Sequence, residues 1–318
     1  MAGPGAATMK ALRRVFWRFL GGLAVLWGAA SLTFVALNVS GGDPALAILG
    51  GPDAMPTAEA IAQVRRDYGL DQPLAVQYAH YLGRLVQGDL GESYRLRIPV
   101  AQAIAGQVGA TAQLALWAAL AAVLLAVSAA VLTANRAPWA RGLASGGELL
   151  LSSMPSFVLG ILLLLVFSFQ LHWLPPTGSR GWKSLVLPIL TLALPVAAVL
   201  AQVLRQELEE ILEQPFIAMA RARGLSEAGV RLGHALRHAL TPLITLSGFV
   251  FAALLGGAVI TENLFARQGI GRLMLNAVND KDVPVVLGIT LLAAAIYVLV
   301  NLAVDLLNAL VDPRVSEA

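Results

Sequence analysis

The sequence predicts an all-α integral membrane protein with six transmembrane helices and a polar cytoplasmic segment between the fourth and fifth. The 318 residues are 58% hydrophobic and only 13% charged, about half the charged fraction of an ordinary soluble domain. A helix of roughly 20 apolar residues crosses the hydrocarbon core of a bilayer. Six stretches longer than this contain no Asp, Glu, Lys or Arg: 19–42, 98–135, 149–179, 184–204, 238–261 and 283–304.

Composition also excludes several classes of protein. The chain has no cysteine, so disulfides, thiolate catalysis and cysteine-ligated metals are absent. The net charge of +3 is small, and its basic residues lie between the apolar stretches, so no nucleic-acid partner is expected. The first stretch is longer than the 7–15 apolar residues of a signal peptide, which predicts a retained helix. Residues 1–7 are expected to be disordered, with Met9 an alternative start.

The first span is predicted at 15–39, and the basic residues before it set the orientation. Lys and Arg next to a span favour the cytoplasmic side, so both termini of a six-span chain are expected in the cytoplasm. The basic residues concerned are Lys10, Arg13, Arg14 and Arg18. The chain then divides into a cytoplasmic tail (1–14), the first span with a long extracytoplasmic loop (15–108), a core of spans two to six (109–312) and a second tail (313–318).

The extracytoplasmic loop has helical apolar spacing at 58–68 and 73–87, followed by a turn at Gly88-Asp89-Leu90-Gly91. Gly41 and Gly42 are expected to end the first helix before it. The remaining spans are predicted at 109–134, 149–169, 184–204, 243–261 and 283–309. Pro188 and Pro195 predict kinks in the fourth span.

The polar segment 205–241 has structure of its own. A helix from Arg205 is expected to reach Pro215, and a second helix to run from Phe216 to Gly224, where glycine is a natural terminator. Ser226 is a suitable N-cap for a third helix. That helix is predicted to carry one stripe of Leu232, Leu236 and Leu240 and another of Arg231, His234 and His238. The residues alone are consistent with two roles for this segment. It could be a docking element for a cytoplasmic motor or an amphipathic loop that rests on lipid headgroups.

Several motifs in a fixed order carry a family resemblance. The run from Ala220 to Ser226 and the run from His234 to Pro242 resemble the cytoplasmic signature of bacterial ABC importer permeases, in particular the dipeptide/oligopeptide/nickel branch. The further matches are Gly42-Asp43-Pro44, Tyr68-Gly69-Leu70-Asp71-Gln72-Pro73, Gly88-Asp89-Leu90-Gly91, Leu254-Leu255-Gly256-Gly257, Gly269-Ile270-Gly271-Arg272 and Asp312-Pro313-Arg314.

The resemblance implies a half-channel in the bacterial inner membrane that pairs with a second, paralogous permease subunit. It also implies two cytoplasmic ABC ATPase subunits, an extracytoplasmic substrate-binding protein and a coupling helix within about 215–241. Ala220, Gly224 and Leu225 would lie in or beside the ATPase groove. The coupling residues carried over are Ala218, Met219, Ala220, Arg221, Arg223, Gly224, Leu225 and Ser226. Ala218 departs from the glutamate of other importers, and Arg267-Gln268 and Val283 depart from the branch on the outer side.

No catalytic site is predicted in this chain. A phosphate-binding loop ends in Gly-Lys-Ser/Thr, and none of Lys10, Lys183 and Lys281 follows a glycine. ATP and Mg are therefore expected on partner subunits and no cofactor in this chain. His234 and His238 are spaced i, i+4 but have no third ligand, so no metal site is predicted.

The candidate pore or helix-interface residues are Ser247, Ala253, Gly256, Gly257, Glu262 and Asp305. Ionisable groups in spans suggest function, although Glu262 and Asp305 are also placed where helix ends could reach water. The small residues suit close helix packing. The resulting hypothesis is a dipeptide/oligopeptide importer permease that works by alternating access. A nickel or metal-chelator importer of the same branch, a passive channel and an intramembrane enzyme are the alternatives.

Overall fold

The computed structural model describes residues 4–39, 43–50, 54–178, 181–239 and 241–311. Predicted features outside these ranges are the Gly41-Gly42 break, Leu240, the Asp312-Pro313-Arg314 motif and the 313–318 tail. Within the described ranges the chain is helical, with one isolated antiparallel bridge between Glu92 and Pro99. Two π-helical segments, Leu164–Gln170 and Val230–Ala235, continue α7 and α10. The α-helices are α1 Pro4–Val39, α2 Pro44–Ile48, α3 Ala58–Asp67, α4 Leu74–Val86, α5 Val100–Thr133, α6 Pro138–Ser153, α7 Ser156–Leu163, α8 Lys183–Leu212, α9 Pro215–Ala222, α10 Glu227–Gly229, α11 Leu236–Ala239, α12 Thr241–Leu264, α13 Ile270–Asn279 and α14 Val283–Val311.

The structure supports an all-helical membrane protein. Among the described residues, α5, α8 and Val283–Val304 of α14 are each long and apolar enough to cross a membrane. The bent pair Pro138–Ser153 and Ser156–Gln170 adds a fourth if it forms one span. The apolar parts of α1 and α12, Leu20–Ala36 and Val250–Leu264, are shorter. The total of six spans stays a prediction.

The third predicted span, 149–169, is wrong as a continuous helix. α6 ends at Ser153, the next residue, Met154, has an extended ψ of 127°, and the chain bends by 107° before the next helix. Pro155 explains the break, because proline disfavours helical geometry in the preceding residue and has no N–H to donate. In contrast, α8 continues through Pro188 and Pro195.

The predicted disorder of residues 1–7 is contradicted where the structure describes them, because α1 already begins at Pro4. Proline is well suited to the first position of a helix, since the N–H that it lacks has no helical partner there. The two loop helices predicted from apolar spacing are confirmed as α3 and α4.

The chain forms two compact units. The first contains residues 1–109 and 273–302, with a small core in which α1, α4 and α14 meet around Ala30, Tyr81 and Leu287. The rings of Phe34 and Tyr81 stack with centroids 5.7 Å apart. Asp282 is buried and closes the loop before α5, accepting hydrogen bonds from the backbone N–H groups of Tyr94 (3.1 Å) and Arg95 (3.2 Å).

The second unit contains residues 110–272 and 303–318, and its core is the seam between α5, α8 and α12. From Leu114 to Ala134, the residue that follows α5, every fourth residue is fully buried, which makes a ridge of the i±4n kind that packs into the groove of a neighbouring helix. This ridge consists of Leu114, Ala118, Ala122, Ala126, Ala130 and Ala134. Its side chains from Leu114 to Ala126 share one apolar cluster with buried residues of α8 and α12.

Candidate functional site: the elbow between α8 and α12

The elbow, residues 213–239, begins with α9 and a sharp corner. Pro215 is at the first helical position of α9, where a missing N–H costs nothing. At the other end Gly224 has φ +86°, and two backbone bonds close the helix: Gly224 N–H to Arg221 O (2.9 Å) and Leu225 N–H to Ala220 O (3.4 Å). This pair of bonds around a left-handed glycine is a Schellman motif. The glycine terminator predicted from the sequence is confirmed.

The next helix is capped as the sequence predicts. Ser226 Oγ accepts a hydrogen bond from the backbone N–H of Gly229 at 3.2 Å, the usual N-cap contact. Arg221 reaches across the corner and donates from Nε to Glu227 Oε1 at 2.8 Å. That hydrogen bond to Arg221 lowers the pKa of the exposed Glu227 carboxyl below its ordinary value. The corner between α9 and α10 is therefore held by a cap, a Schellman motif and an ion pair.

The inner face of the elbow packs on the ends of α5 and α8. Ile217 and Ala220 of α9 are buried together with Val230 of the following segment. They share one apolar cluster with Ala130 and Ala134 of α5 and with Leu204, Leu208 and Leu212 of α8. The elbow is thus attached to two long helices at once.

Arg231 adds a polar link to the same place. Its side chain is buried, and Nη1 donates to the carbonyl of Val131 at 3.0 Å, in the last turn of α5. A cation at a helix C-terminus is favourable because the carbonyl ends of the peptide dipoles collect there. Burial, together with the nearby Arg136 charge, lowers the pKa of Arg231 from its ordinary value.

The predicted stripes of the third helix do not hold for the residues that the structure describes, and Leu240 lies outside them. The residues that face the core are Val230, Arg231, Ala235 and Ala239, whereas Leu232 is 56% exposed. The cause is the π-helical segment Val230–Ala235, whose i→i+5 pattern makes each turn wider than in an α-helix. The buried apolar positions are accordingly spaced by five and then four residues, and an ideal α-helical period points to the wrong faces.

The outer face of the elbow carries exposed apolar side chains. Phe216 (42%), Met219 (67%), Leu225 (39%) and Leu232 (56%) are all accessible, and Phe216 contacts His238 edge-on, with ring centroids 5.4 Å apart. Of the predicted coupling residues, Ala220 is buried in the chain's own core. The others are exposed: Ala218, Met219, Arg221, Arg223, Gly224, Leu225 and Ser226. A partner would therefore meet these and not the Ala220 side chain.

Glu262, predicted as a pore or interface candidate, lies in a second polar site at the end of α12. The carboxylate is fully buried, so of the two readings of Glu262, the alternative that it reaches water at a helix end is wrong. Oε1 accepts from Thr111 Oγ1 at 2.6 Å, and Oε2 accepts from the backbone N–H groups of Gly271 (2.8 Å) and Arg272 (3.3 Å). Those two N–H groups are the second and third of α13, the ones that an N-cap side chain normally binds. Gly269 has no side chain to cap α13, and Glu262 supplies the acceptor instead.

The geometry of this site explains the Gly269-Ile270-Gly271-Arg272 motif. A Cβ at Gly269 would lie 2.1 Å from Glu262 Oε1, and a Cβ at Gly271 would lie 2.3 Å from the Cα of Val259. Both positions thus require glycine. Arg267, which departs from the branch pattern, is buried and donates to Ala110 O (3.2 Å) and to Gln113 Oε1 (3.1 Å).

The other pore candidates are distributed over α12 and α14. Ala253 packs at the edge of the α5–α8–α12 seam. Gly257 faces α8, where an added Cβ would lie 2.7 Å from Leu192 Cδ2, whereas Gly256 has nothing within 4 Å. The side chains of Ser247 and Asp305 lie outside the part of the chain that the structure describes. Within that part, no three His, Cys, Asp or Glu residues form a group able to hold a metal ion.

A buried ion pair between α6 and α8 was not predicted from the sequence. Arg205 of α8 and Glu148 of α6 are both buried and form a bidentate pair, with Arg205 Nη1 donating to Glu148 Oε1 at 2.9 Å and Nη2 to Oε2. Arg205 Nη1 also donates to Thr133 Oγ1 at the end of α5 (3.2 Å). The sequence feature that could have indicated this pair is the position of Arg205, which is beside Leu204 and in line with Leu208 on the apolar face of α8.

Similarity to known proteins extends over almost the whole chain. The family described as Binding-protein-dependent transport system inner membrane component matches residues 122–317. The family described as Binding-prot-dependent transport system membrane comp, N-term, matches residues 11–115. The Glutathione transport system permease protein GsiC of Salmonella typhimurium is 39% identical over 308 residues, which cover 96% of this chain and 99% of that protein. GsiC of Escherichia coli strain K12 is 38% identical over 305 residues, with the same coverage.

Proposed function

Because the chain belongs to the family of binding-protein-dependent transport system inner membrane components, the permeases of ABC importers in the peptide/nickel branch, we propose that it takes up short peptides, with glutathione the first substrate to test. Glutathione is a tripeptide, and it is the substrate that the names of the most similar relatives print. The observation that carries the proposal is the 38–39% identity over 96% of this chain. It reaches from the N-terminal part of the chain to α14, so it includes both units.

The mechanism proposed is alternating access with the elbow as the coupling element. The elbow offers a partner an apolar outer face with basic flanks, which suits a groove with acidic edges. Its inner face packs on α5 and α8, so a displacement of the elbow moves both helices. ATP binding to two cytoplasmic ATPase subunits would favour one conformation of the permease pair, and hydrolysis would release it.

The proposed assembly places both termini and the elbow in the bacterial cytoplasm. A second permease subunit, paralogous or identical, completes the path, and an extracytoplasmic binding protein delivers the substrate. ATP and Mg belong to the partner subunits, and this chain contributes binding surfaces and movement rather than catalysis. The glycines and alanines on α5 and α12 support close packing of its helices.

Uptake in cells tests the substrate. Deleting the gene should abolish accumulation of radiolabelled glutathione, and a plasmid copy should restore it. An excess of unlabelled dipeptide should compete with glutathione if the substrate class is short peptides, whereas nickel chloride should not. Unchanged glutathione uptake in the deletion strain, or loss of labelled nickel uptake alone, would overturn the proposed substrate.

Reconstitution tests the need for partners. The permease alone in liposomes should not move glutathione, and the full assembly with ATP and binding protein should do so. Transport by this chain alone would identify a passive channel instead.

A further inference from the structure

The first unit contains a cavity that the coupling mechanism does not use. Its volume is about 710 Å³, and it lies between the end of α1, the helices α3 and α4, the loop after α4 and the start of α14. Cavities of roughly 300–1,000 Å³ are typical of small-molecule sites. In the proposed topology this part of the chain is extracytoplasmic, on the side from which an importer takes its substrate.

One wall of the cavity is aromatic. Tyr68 and Tyr94 line it and meet edge to face, with ring centroids 5.5 Å apart. Burial raises the pKa of Tyr94 to about 12, although the nearby Arg84 charge acts in the opposite direction. Tyr94 therefore presents a neutral phenol at any physiological pH. Such rings offer flat apolar surface with a polar edge.

The charged groups of the cavity are of both signs. Arg84 is exposed at the last turn of α4 and lines the cavity, as do the charged residues Arg66, Asp67, Asp89 and Glu92. Among the described residues, the ion pairs formed by the chain involve none of these five side chains.

The loop after α4 holds two of these groups close together. The backbone N–H of Asp89 donates to the carbonyl of Arg84 at 3.0 Å, and Asp89 Oδ1 accepts from the N–H of Gly91 at 2.8 Å. A Cβ at Gly91, whose φ is +82°, would lie 3.7 Å from Arg84 Nη1. Arg66 also lines the cavity, but it already donates to Gln63 Oε1 at 2.8 Å, which favours Arg84 as the cationic group for a ligand.

We infer that this cavity binds a small zwitterion of di- or tripeptide size, with Arg84 receiving the carboxylate, the acidic side chains Asp89 and Glu92 receiving the ammonium group, and Tyr68 and Tyr94 packing against the remainder. Arginine suits this role because its fork of N–H groups matches the two oxygens of a carboxylate. The inference rests on the proposed function for the choice of peptides. It adds a site within a single permease subunit, separate from the elbow and from Glu262.

Binding to the purified assembly tests the inference. The permease, with the subunits that co-purify with it, is placed in nanodiscs without ATP or binding protein, and titrated with dialanine by calorimetry. Dialanine should bind saturably, and Arg84→Gln should weaken binding about tenfold or more, because a charge-assisted hydrogen bond is lost. The matched control is Arg95→Gln, an exposed arginine that does not line the cavity, and it should change the affinity by no more than about twofold.

A capped ligand tests the need for both charges. N-acetyl-dialanine amide has neither terminal charge and should bind at least about tenfold more weakly than dialanine. No dialanine binding to the wild type, equal binding of the two ligands, or equal effects of the two arginine variants would overturn the site. If any of those results is found while glutathione uptake still depends on this chain, the proposed function is retained and the cavity is rejected as a binding site. Arg84-dependent dialanine binding without glutathione uptake would support the cavity site and overturn glutathione as the substrate.

Discussion

Gly224 stands at the corner of the elbow with φ +86°, and no atom lies within 4 Å of the place where a Cβ would be. A larger residue there meets no steric conflict within the chain, although the left-handed conformation costs a non-glycine residue about 1–2 kcal/mol. Gly224→Glu should therefore leave the protein inserted but reduce uptake at least about tenfold, because in the proposed mechanism the corner contacts the ATPase. Transport assays and co-purification of the ATPase subunits measure the effect.

Two variants separate the causes of that loss. Asparagine tolerates the left-handed region, so Gly224→Asn should keep most of the uptake. Glu213→Ala, an exposed change one helix away, should be nearly silent. Normal uptake and normal ATPase recovery in Gly224→Glu would exclude the corner as a contact surface.

Gly269 offers the opposite case, a glycine required by packing. Gly269→Ala places a Cβ 2.1–2.3 Å from the Glu262 carboxylate, so the cap of α13 must move. The expected loss of stability is about 1–3 kcal/mol, as for other overpacked sites. The midpoint of thermal unfolding in detergent measures it. Gly256→Ala on the preceding helix, with open space at its Cβ, should leave that midpoint unchanged, and an equal drop in both variants would refute the packing argument.

At the residue scale, the sequence predicted what depends on local conformation. Gly224 and Ser226 were assigned from rules for helix ends, and both positions have the predicted geometry. Glu262 was recognised as unusual, but its burial depends on Thr111, which is far away in sequence. No local pattern shows that the two side chains meet.

The helix α8 is tied to α6 by the buried pair of Arg205 and Glu148. Arg205→Met should lower stability by roughly 3–5 kcal/mol, since it leaves a buried carboxylate without its partner. The double variant Glu148→Met/Arg205→Met should recover most of that loss, because two apolar side chains of similar length need no hydrogen bonds. A double-mutant cycle on thermal unfolding gives the coupling energy. Additive losses would show that the pair contributes little.

At the element scale, helix positions were predictable and helix continuity was only partly so. α3, α4 and the end of α9 follow from apolar spacing and glycine. The bend at Met154 was missed although Pro155 was visible, because Pro188 and Pro195 lie inside a continuous helix and composition does not distinguish the cases. The π-helical segment in the elbow, whose Val230 and Ala235 pack in one cluster with residues of α5 and α8, was not predicted.

Orientation in the membrane is a property of the whole molecule, and the absence of cysteine makes it directly measurable. Val86 is 89% exposed in the loop between the first two predicted spans, and Leu232 is 56% exposed on the elbow. A membrane-impermeant maleimide applied to intact cells should label Val86→Cys. It should label Leu232→Cys only after the membrane is permeabilised. Labelling of Leu232→Cys in intact cells would show that the elbow is not in the cytoplasm and would contradict the proposed coupling mechanism.

The helix α5 contacts two polar sites that lie far apart along its length. Val131, in its last turn, accepts a hydrogen bond from Arg231, and Thr111, in its first half, donates one to Glu262. About 20 residues of uninterrupted α-helix separate them, a distance of about 30 Å at 1.5 Å per residue, and the hydrocarbon layer is equally thick. In the proposed topology this part of α5 would extend across the hydrocarbon layer from the cytoplasmic side to the opposite side. We expect a displacement of the elbow at Val131 to be transmitted along the continuous helix toward the buried carboxylate of Glu262.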